Sequence, residues 1–220
     1  MAKELWIYDV IGADFFGEGV TAKSVRDELR GVDPAERLLV RINSPGGLVF
    51  EAASIVTLLG EHPGGVDVQI DGVAASAASY IAMVGQKVAM SDGAMLMIHD
   101  PWSIVIGDSR DMVKEAELLD KMAVNLAGAY VAKSGKTEKE IREAMLAETW
   151  FTADEAVEFG LADSKLESFA KAYTIPGKFG YRNAPQPQKE IPPHAKPASV
   201  AAMTDQLQAV RAELLTCGAA

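Results

Sequence analysis

The feature that most constrains this chain is an alternation of apolar periods across its first two-thirds. An extended run, Leu5 to Val10, is followed by a helical pattern, Thr21 to Arg30, and by a second extended run, Leu38 to Ile42. The loop Asn43-Ser44-Pro45-Gly46-Gly47 leads into a helical segment from Val49 to Leu59, a strand from Val66 to Ile70 and a helix opening near Ser76. Two short apolar runs, Val88 to Met90 and Met95 to Ile98, come next. Strands alternating with helices of this length predict an α/β fold with a mainly parallel sheet covered by helices. Only 7% of the residues are aromatic while Gly and Ala are plentiful, so the core is expected to pack small and aliphatic side chains with backbones in close approach.

After Ile104-Val105-Ile106, a helical pattern runs from Asp108 to Ala132, with apolar Met112, Leu118, Leu119, Met122, Leu126 and Tyr130 and opposite charges such as Glu117 and Lys121. Roughly 25 residues at 1.5 Å each span about 37 Å, more than this sheet needs for cover. Such a helix either projects to pack against another subunit or lies along the surface of a monomer. Gly135 ends it, Thr137 opens a short helix through Met145, and Thr152-Ala-Asp-Glu155 has the capping-box spacing for a helix that stops at Gly160. From Ile175 to Pro197, six of the chain's ten prolines fall among Gln, Lys and Ala, which reads as an extended linker. The expected division is a folded domain over 1–168 and a Pro-rich linker with a short tail over 169–220. That tail is expected to be largely disordered, with Val200 to Leu215 expected either to form a short amphipathic helix or to stay unstructured.

Lys plus Arg against Asp plus Glu gives 21 − 31 = −10, which argues against nucleic acid or an anionic membrane as the main partner. The one cysteine, Cys217, excludes an intrachain disulfide and a cysteine-rich zinc site. No apolar stretch near the N-terminus is long enough for a signal peptide or a membrane span, so the expected location is cytoplasmic, or inside a particle assembled there.

Several familiar patterns are missing. There is no Gly-x-Ser-x-Gly elbow and no His-Glu-x-x-His, and histidines at 62, 99 and 194 do not cluster locally, so no metal is expected. Gly135-Lys136-Thr137 imitates the end of a phosphate-binding loop, but Tyr130 stands where its first glycine is required, and an ATP-driven step would need another protein. Gly17-Glu-Gly19-Val-Thr-Ala22 fits the relaxed dinucleotide pattern only loosely and is explained by a glycine turn into the first helix. No cofactor is expected.

The segment Asp71-Gly72-Val73-Ala74-Ala75-Ser76-Ala77-Ala78-Ser79 sets a serine among small residues where a buried strand turns into a helix. Small neighbours leave room for a substrate backbone, and free amides at the turn favour developing negative charge. Alone, Ser76 reads as readily as a helix cap. His99, in Met97-Ile98-His99-Asp100-Pro101, lies just past a short strand where it could take the serine proton and return it to a leaving amine; alone it is equally a loop residue. Ser44-Pro45-Gly46-Gly47 adds two consecutive glycines whose bare amides can approach a substrate oxyanion. His62 reads as a surface turn and His194 lies in the tail.

Together these motifs resemble the Clp protease proteolytic subunit family, over about Leu5 to Leu166. Ile42-Asn43-Ser44-Pro45-Gly46-Gly47 resembles its oxyanion loop, Gly72-Val-Ala-Ala-Ser76 its nucleophile turn, and Met97-Ile98-His99-x-Pro101 its catalytic-histidine strand. The long helix after residue 107 is like its inter-ring handle, and Trp150 to Asp163 like its C-terminal segment. The resemblance implies a ClpP-like serine endopeptidase over 1–168, with a crotonase-like spiral of β-β-α units and a projecting handle helix. It also implies a homo-oligomer of heptameric rings, which can stack as a tetradecamer around a chamber, and protein substrates.

One departure concerns the third catalytic residue. Two residues before the aromatic of the C-terminal motif, where the family usually places its triad aspartate, this chain has Glu148; Asp100 and Asp154 are the weaker candidates. A glutamate can orient the imidazole, but its extra methylene demands a shifted backbone. The implied mechanism uses Ser76 as nucleophile, His99 as base and Glu148 as orienter, with amides of Gly47 and Ala77 at the oxyanion and Gly46 as an alternative to Gly47. The Glu-Thr-Trp-Phe-Thr variant and the tail look more like Clp-related head maturation proteases of phages and prophages, which cleave scaffold or capsid precursors. Other readings are a housekeeping subunit partnered with an AAA+ unfoldase, a non-catalytic ring or scaffold protein, and a crotonase-type acyl-CoA enzyme, which the Ser/His pair disfavours.

Overall fold

A computed structural model describes residues 3–13, 19–167 and 181–185. The apolar alternation becomes a seven-stranded sheet: β1 (Lys3–Ile7), α1 (Ala22–Leu29), β2 (Leu38–Ser44), α2 (Val49–Gly60), β3 (Val66–Ala75), α3 (Ala77–Ala82), β4 (Lys87–Ser91) and β5 (Met95–Ile98). Then follow α4 (Ser109–Ser134), α5 (Glu138–Leu146), β6 (Thr149–Thr152), α6 (Ala153–Phe159) and β7 (Ser164–Leu166). The spatial order is β1-β2-β3-β4-β7, all parallel, with β5 parallel to the end of β3 and β6 antiparallel to β5. This mixed α/β architecture, with a parallel sheet and packed helices, is the kind of fold that the resemblance implies.

Alternation along β2 and over Val66 to Ile70 of β3 decides which face the helices cover. Leu38, Val40, Ile42, Val66, Val68 and Ile70 point into one buried core with Val25 of α1, Ala52, Ile55 and Leu59 of α2, and Ile81 of α3. Each fully buried Ile or Leu contributes about 1.5–3 kcal/mol relative to exposure. Among the described residues no helix covers the opposite face, which carries charged side chains with Trp6 and Tyr8, contrary to the double cover usual for parallel sheets. There Arg41 pairs bidentately with Asp71 at 2.9 and 2.6 Å, Tyr8 donates to Asp71 at 2.6 Å, and Arg37 pairs with Asp67.

β3 runs five residues past the end expected at Ile70. The extension is long-range in origin: β4 pairs with Asp67 to Ile70, and then β5 takes over along Val73, Ala74 and Ala75. A Gly- and Ala-rich run hides this pairing from periodicity, because its strand character comes from the partner. The short strands β6 and β7 escape the pattern for the same reason.

The long helix is 26 residues, about 39 Å at 1.5 Å per residue, capped by Asp108, whose side chain accepts from the amides of Arg110 and Asp111. Its buried residues, Ala123, Leu126, Ala127 and Tyr130, all lie in the second half, while Met112 and Val113 in the first half are exposed. The first half therefore stands off the body, as expected of a projecting helix. Gly135, in the left-handed region, ends it. Apart from 181–185, the tail expected beyond residue 168, including its proline-rich linker and the segment Val200 to Leu215, lies outside the described residues, as do His194 and Cys217.

Candidate active site

Strand register gathers the predicted residues at one edge. Ala75 pairs with Met97, and the Ser76 amide donates to the Met97 carbonyl at 3.0 Å, so the ends of β3 and β5 lie side by side. On the other side of β5, Ile98 pairs with Thr149. Continuing each strand by one residue sets Ser76, His99 and Glu148 at the same end of three neighbouring strands. Positions 23 and 72 residues away from the serine thus converge with no local sequence contact.

Ser76 and His99 meet directly: a 2.7 Å hydrogen bond joins Ser76 Oγ to His99 Nε2. The alternative of a helix cap does not hold, because the Ser76 side chain makes no capping bond to α3. Its backbone sits at φ 56 and ψ −124, a conformation that costs about 1–3 kcal/mol for a non-glycine residue. The Gly-x-Ser-x-Gly signature is absent, yet the strained strand-to-helix turn it usually marks is present, built from alanines instead.

Two groups hold that turn. Ser79 Oγ donates to the Ser76 carbonyl at 2.7 Å and shares a 2.9 Å hydrogen bond with the buried Tyr130 hydroxyl of α4. From the other side the Gly46-Gly47 loop presses in: Gly46 has φ 95, and a Cβ there would stand 2.5 Å from the Ala75 carbonyl and 2.8 Å from Ser76 Cβ. Only glycine allows this approach. The Gly46 amide donates to Ser44 Oγ at 3.1 Å. The amides of Gly47 and Ala77 have no acceptor among the described residues.

Burial lowers the His99 pKa below the ordinary 6.5, against the charges of Glu148 and Asp100, which raise it. The ring is therefore neutral near pH 7 and can accept a proton. Glu148 acts on it by charge; its hydrogen bonds go elsewhere. Glu148 Oε1 accepts from the Asn183 amide at 2.7 Å and the Trp150 indole at 3.3 Å, and Oε2 accepts from the Arg182 amide at 2.9 Å. Burial pushes the Glu148 carboxyl up, but the Asn183 and Arg182 amides, the Trp150 indole and the His99 charge hold it below the usual value.

The two weaker candidates for the third role are committed to other partners. Asp100 pairs with Arg142 of α5 at 2.7 Å, and the exposed Asp154 pairs with Lys165 at 2.7 Å. His62 bonds the Glu36 carbonyl at 2.6 Å in its turn, as expected of a surface loop residue. Among the described residues, no three His, Cys, Asp or Glu side chains form a metal-binding group, and no helix is long and apolar enough to cross a membrane.

Sequence reasoning missed Ser79, Tyr130 and Tyr181 as parts of the site. Ser79 stands three residues after Ser76, one helical turn, which was a usable signal; Tyr130 reads only as an apolar position of the long helix. Tyr181 follows the proline-rich reading of the tail, yet its ring meets His99 and Trp150 edge-on, with centroids at 5.6 and 5.5 Å, and its hydroxyl donates to the Pro45 carbonyl.

Comparison with known proteins agrees with this geometry. The Clp protease family model matches residues 21–168. The chain is 31% identical over 167 residues to the ATP-dependent Clp protease proteolytic subunit 1 of Chlamydia abortus, covering 70% of this chain and 86% of that protein. It is 30% identical over 146 residues to the proteolytic subunit 3 of Rhodococcus jostii, covering 65% and 72%. A similar match, 31% over 166 residues, is found with subunit 1 of Protochlamydia amoebophila, covering 70% and 80%. The chain belongs to the Clp protease family and is a serine-type peptidase.

Proposed function

We propose that the chain is an endopeptidase that cleaves protein substrates through Ser76, His99 and Glu148. The observation that carries this reading is the 2.7 Å Ser76–His99 hydrogen bond at a strained nucleophile turn beside a glycine loop. His99 Nε2 takes the Ser76 proton as Oγ attacks the scissile carbonyl. The tetrahedral oxyanion receives the Gly47 and Ala77 amides, whose removal in comparable sites costs about 2.7–4 kcal/mol of transition-state stabilisation each. Gly46, whose amide is already taken by Ser44, is the less suitable donor. His99 then protonates the leaving amine, and water, deprotonated by the same ring, hydrolyses the acyl-enzyme. Glu148 orients the imidazole and stabilises its protonated form.

The exposed first half of α4, with Trp102, Ile104 and Ile106 exposed just before it, supports assembly into rings, heptameric and stacked as a tetradecamer. The glutamate at position 148 and the long tail support a head maturation role on scaffold or capsid precursors. The second reading, a subunit fed by an AAA+ unfoldase, is supported by the ATP-dependent proteases to which the chain is similar.

The test is fluorophosphonate labelling of wild type, Ser76→Ala, His99→Ala and Glu148→Ala, each sized by light scattering. Labelling lost in Ser76→Ala and His99→Ala, on ring-sized particles, is the expected result. A well-folded chain that stays unlabelled on prolonged exposure, with or without Tyr181→Ala, refutes the nucleophile assignment. Co-purification with an unfoldase selects the second reading.

A further inference from the structure

We propose that residues Tyr181, Arg182 and Asn183 are a cis-acting ligand of the catalytic site, masking Ser76 and diverting Glu148 from His99 until the segment is released. The inference rests on the proposed role of Ser76 as nucleophile. Six contacts carry it. The Tyr181 ring sits edge-on to both His99 and Trp150, and its hydroxyl donates to the Pro45 carbonyl in the oxyanion loop. The main-chain amides of Arg182 and Asn183 both donate to the Glu148 carboxylate, at 2.9 and 2.7 Å. Asn183 Nδ2 adds a 2.7 Å bond to the Ala147 carbonyl. Side chain and backbone of one short segment thus engage the histidine, the acid and the oxyanion loop together.

Two physical consequences follow. The phenol, pushed up to about 12 chiefly by burial, is neutral here, and Ser76 lies within its hydrogen-bonding reach, so the nucleophile is covered by a side chain rather than by a scissile carbonyl. The carboxylate of Glu148 is shared among two amides and an indole, and its effect on His99 is one of charge alone. Release of the segment frees two acceptor positions on Glu148, which can then take the His99 Nδ1–H. One movement therefore uncovers Ser76 and completes the orientation of its base. The subsite left behind, framed by His99, Trp150 and the Pro45 carbonyl, fits an aromatic side chain with a hydroxyl at its tip.

The test compares fluorophosphonate labelling rates of the full chain, Tyr181→Ala and Tyr181→Phe, with a synthetic peptide of residues 181–185 added to Tyr181→Ala. A second readout is the Trp150 indole N–H resonance, assigned with Trp150→Phe. Labelling of Ser76 at least tenfold faster in Tyr181→Ala, intermediate in Tyr181→Phe and slowed again by the peptide, with the Trp150 resonance shifted by Tyr181→Ala, is the expected result. Equal labelling rates in the full chain and Tyr181→Ala overturn the proposal whatever the resonance does. If no chain labels, the nucleophile assignment has failed instead, and the resonance decides: a shift in Tyr181→Ala retains the docked segment, and an unmoved resonance overturns it.

Discussion

Replacing Gly46 by alanine tests whether the glycine loop is positioned for chemistry or is merely a turn. The new methyl would lie 2.5 Å from the Ala75 carbonyl, 2.8 Å from Ser76 Cβ and 3.1 Å from the Ala77 amide nitrogen. Ordinary contact begins at 3.4 Å, so loop and strand end must part by 3.4 − 2.5, or 0.9 Å. Positive φ adds about 1–2 kcal/mol and the overlap about 1–3 kcal/mol, a total loss of stability of about 2–5 kcal/mol. A misplacement near 1 Å at reacting atoms costs about 100-fold in rate. Gly135→Ala is the control, because Gly135 also has positive φ, 69, but nothing within 4 Å of a new methyl. It should lose only the backbone cost and keep the full rate. Fluorophosphonate labelling in a Tyr181→Ala background, where access does not limit the rate, gives the kinetics, and urea denaturation gives the stability. Gly46→Ala that labels as fast as Gly135→Ala would refute the argument that this loop frames the transition state.

Glu148→Gln removes a charge that raises the His99 pKa, so the acid limb of the pH–rate profile should move to lower pH while the maximum rate falls by up to about 10⁴-fold. A limb that stays fixed or moves upward contradicts the assignment. Tyr130→Phe leaves Ser79 bonded to the Ser76 carbonyl and should cost about 1 kcal/mol in urea denaturation, whereas Ser79→Ala strands the buried Tyr130 hydroxyl and should cost about 1–3 kcal/mol. Equal losses would show that the two groups do not act in series. Burial raises the Asp71 carboxyl, but bonds from Arg41, Tyr8 and Gln69 hold it below 3.8; its contribution to stability is present above that pH and is lost as pH falls through the lower folded value. The stability gap between wild type and Asp71→Asn should therefore close in acid. Tyr8, pushed up to about 12 by burial and then by Asp71, contributes below pH 10.0 and loses that contribution as pH rises toward 12, so Tyr8→Phe should converge on wild type there.

The legible parts of this protein are those in which local pattern and tertiary role coincide. Alternation along Leu38 to Ile42 and Val66 to Ile70 reports a buried face directly, and Thr137 and Thr152 do cap their helices as their spacing predicts. The glycine pair was readable because it follows such a strand, the serine because small residues surround it ahead of a helix, and the histidine because it follows a short apolar run. The extension of β3 to Ala75 was not, since its partner β5 lies twenty residues on and supplies the strand character of an otherwise weak Gly-Val-Ala-Ala run. The same limit applies to Tyr130. Its apolar ring marks it as core, and only the packing of α4 against α3 brings its hydroxyl to Ser79. Composition also misled over 181–185: a stretch poor in apolar residues reads as solvated, yet one aromatic ring and two main-chain amides suffice to hold it against Glu148.

Backbone strain ties the site together where sequence distance does not. Among the described residues, positive φ outside glycine occurs at only two positions, Ser76 at 56 and Glu148 at 50. They are 72 residues apart, on different elements, and each costs about 1–3 kcal/mol unless surrounding structure enforces it. At Ser76 the enforcement is visible in the Met97 carbonyl, the Ser79 hydroxyl and the close pass of Gly46. At Glu148 it comes from the junction of α5 and β6, where the Glu148 amide is held by the Met145 carbonyl and Thr149 pairs with Ile98 immediately afterwards. In the proposed triad, this positive φ sets the direction from which the Glu148 side chain leaves the backbone beside the imidazole. Strain at Ser76 and Glu148, and at no other described non-glycine residue, accords with the roles proposed for them as nucleophile and acid. Replacing Glu148 with aspartate should therefore not restore full labelling, because the strained backbone remains while the shorter side chain draws its carboxylate back from His99.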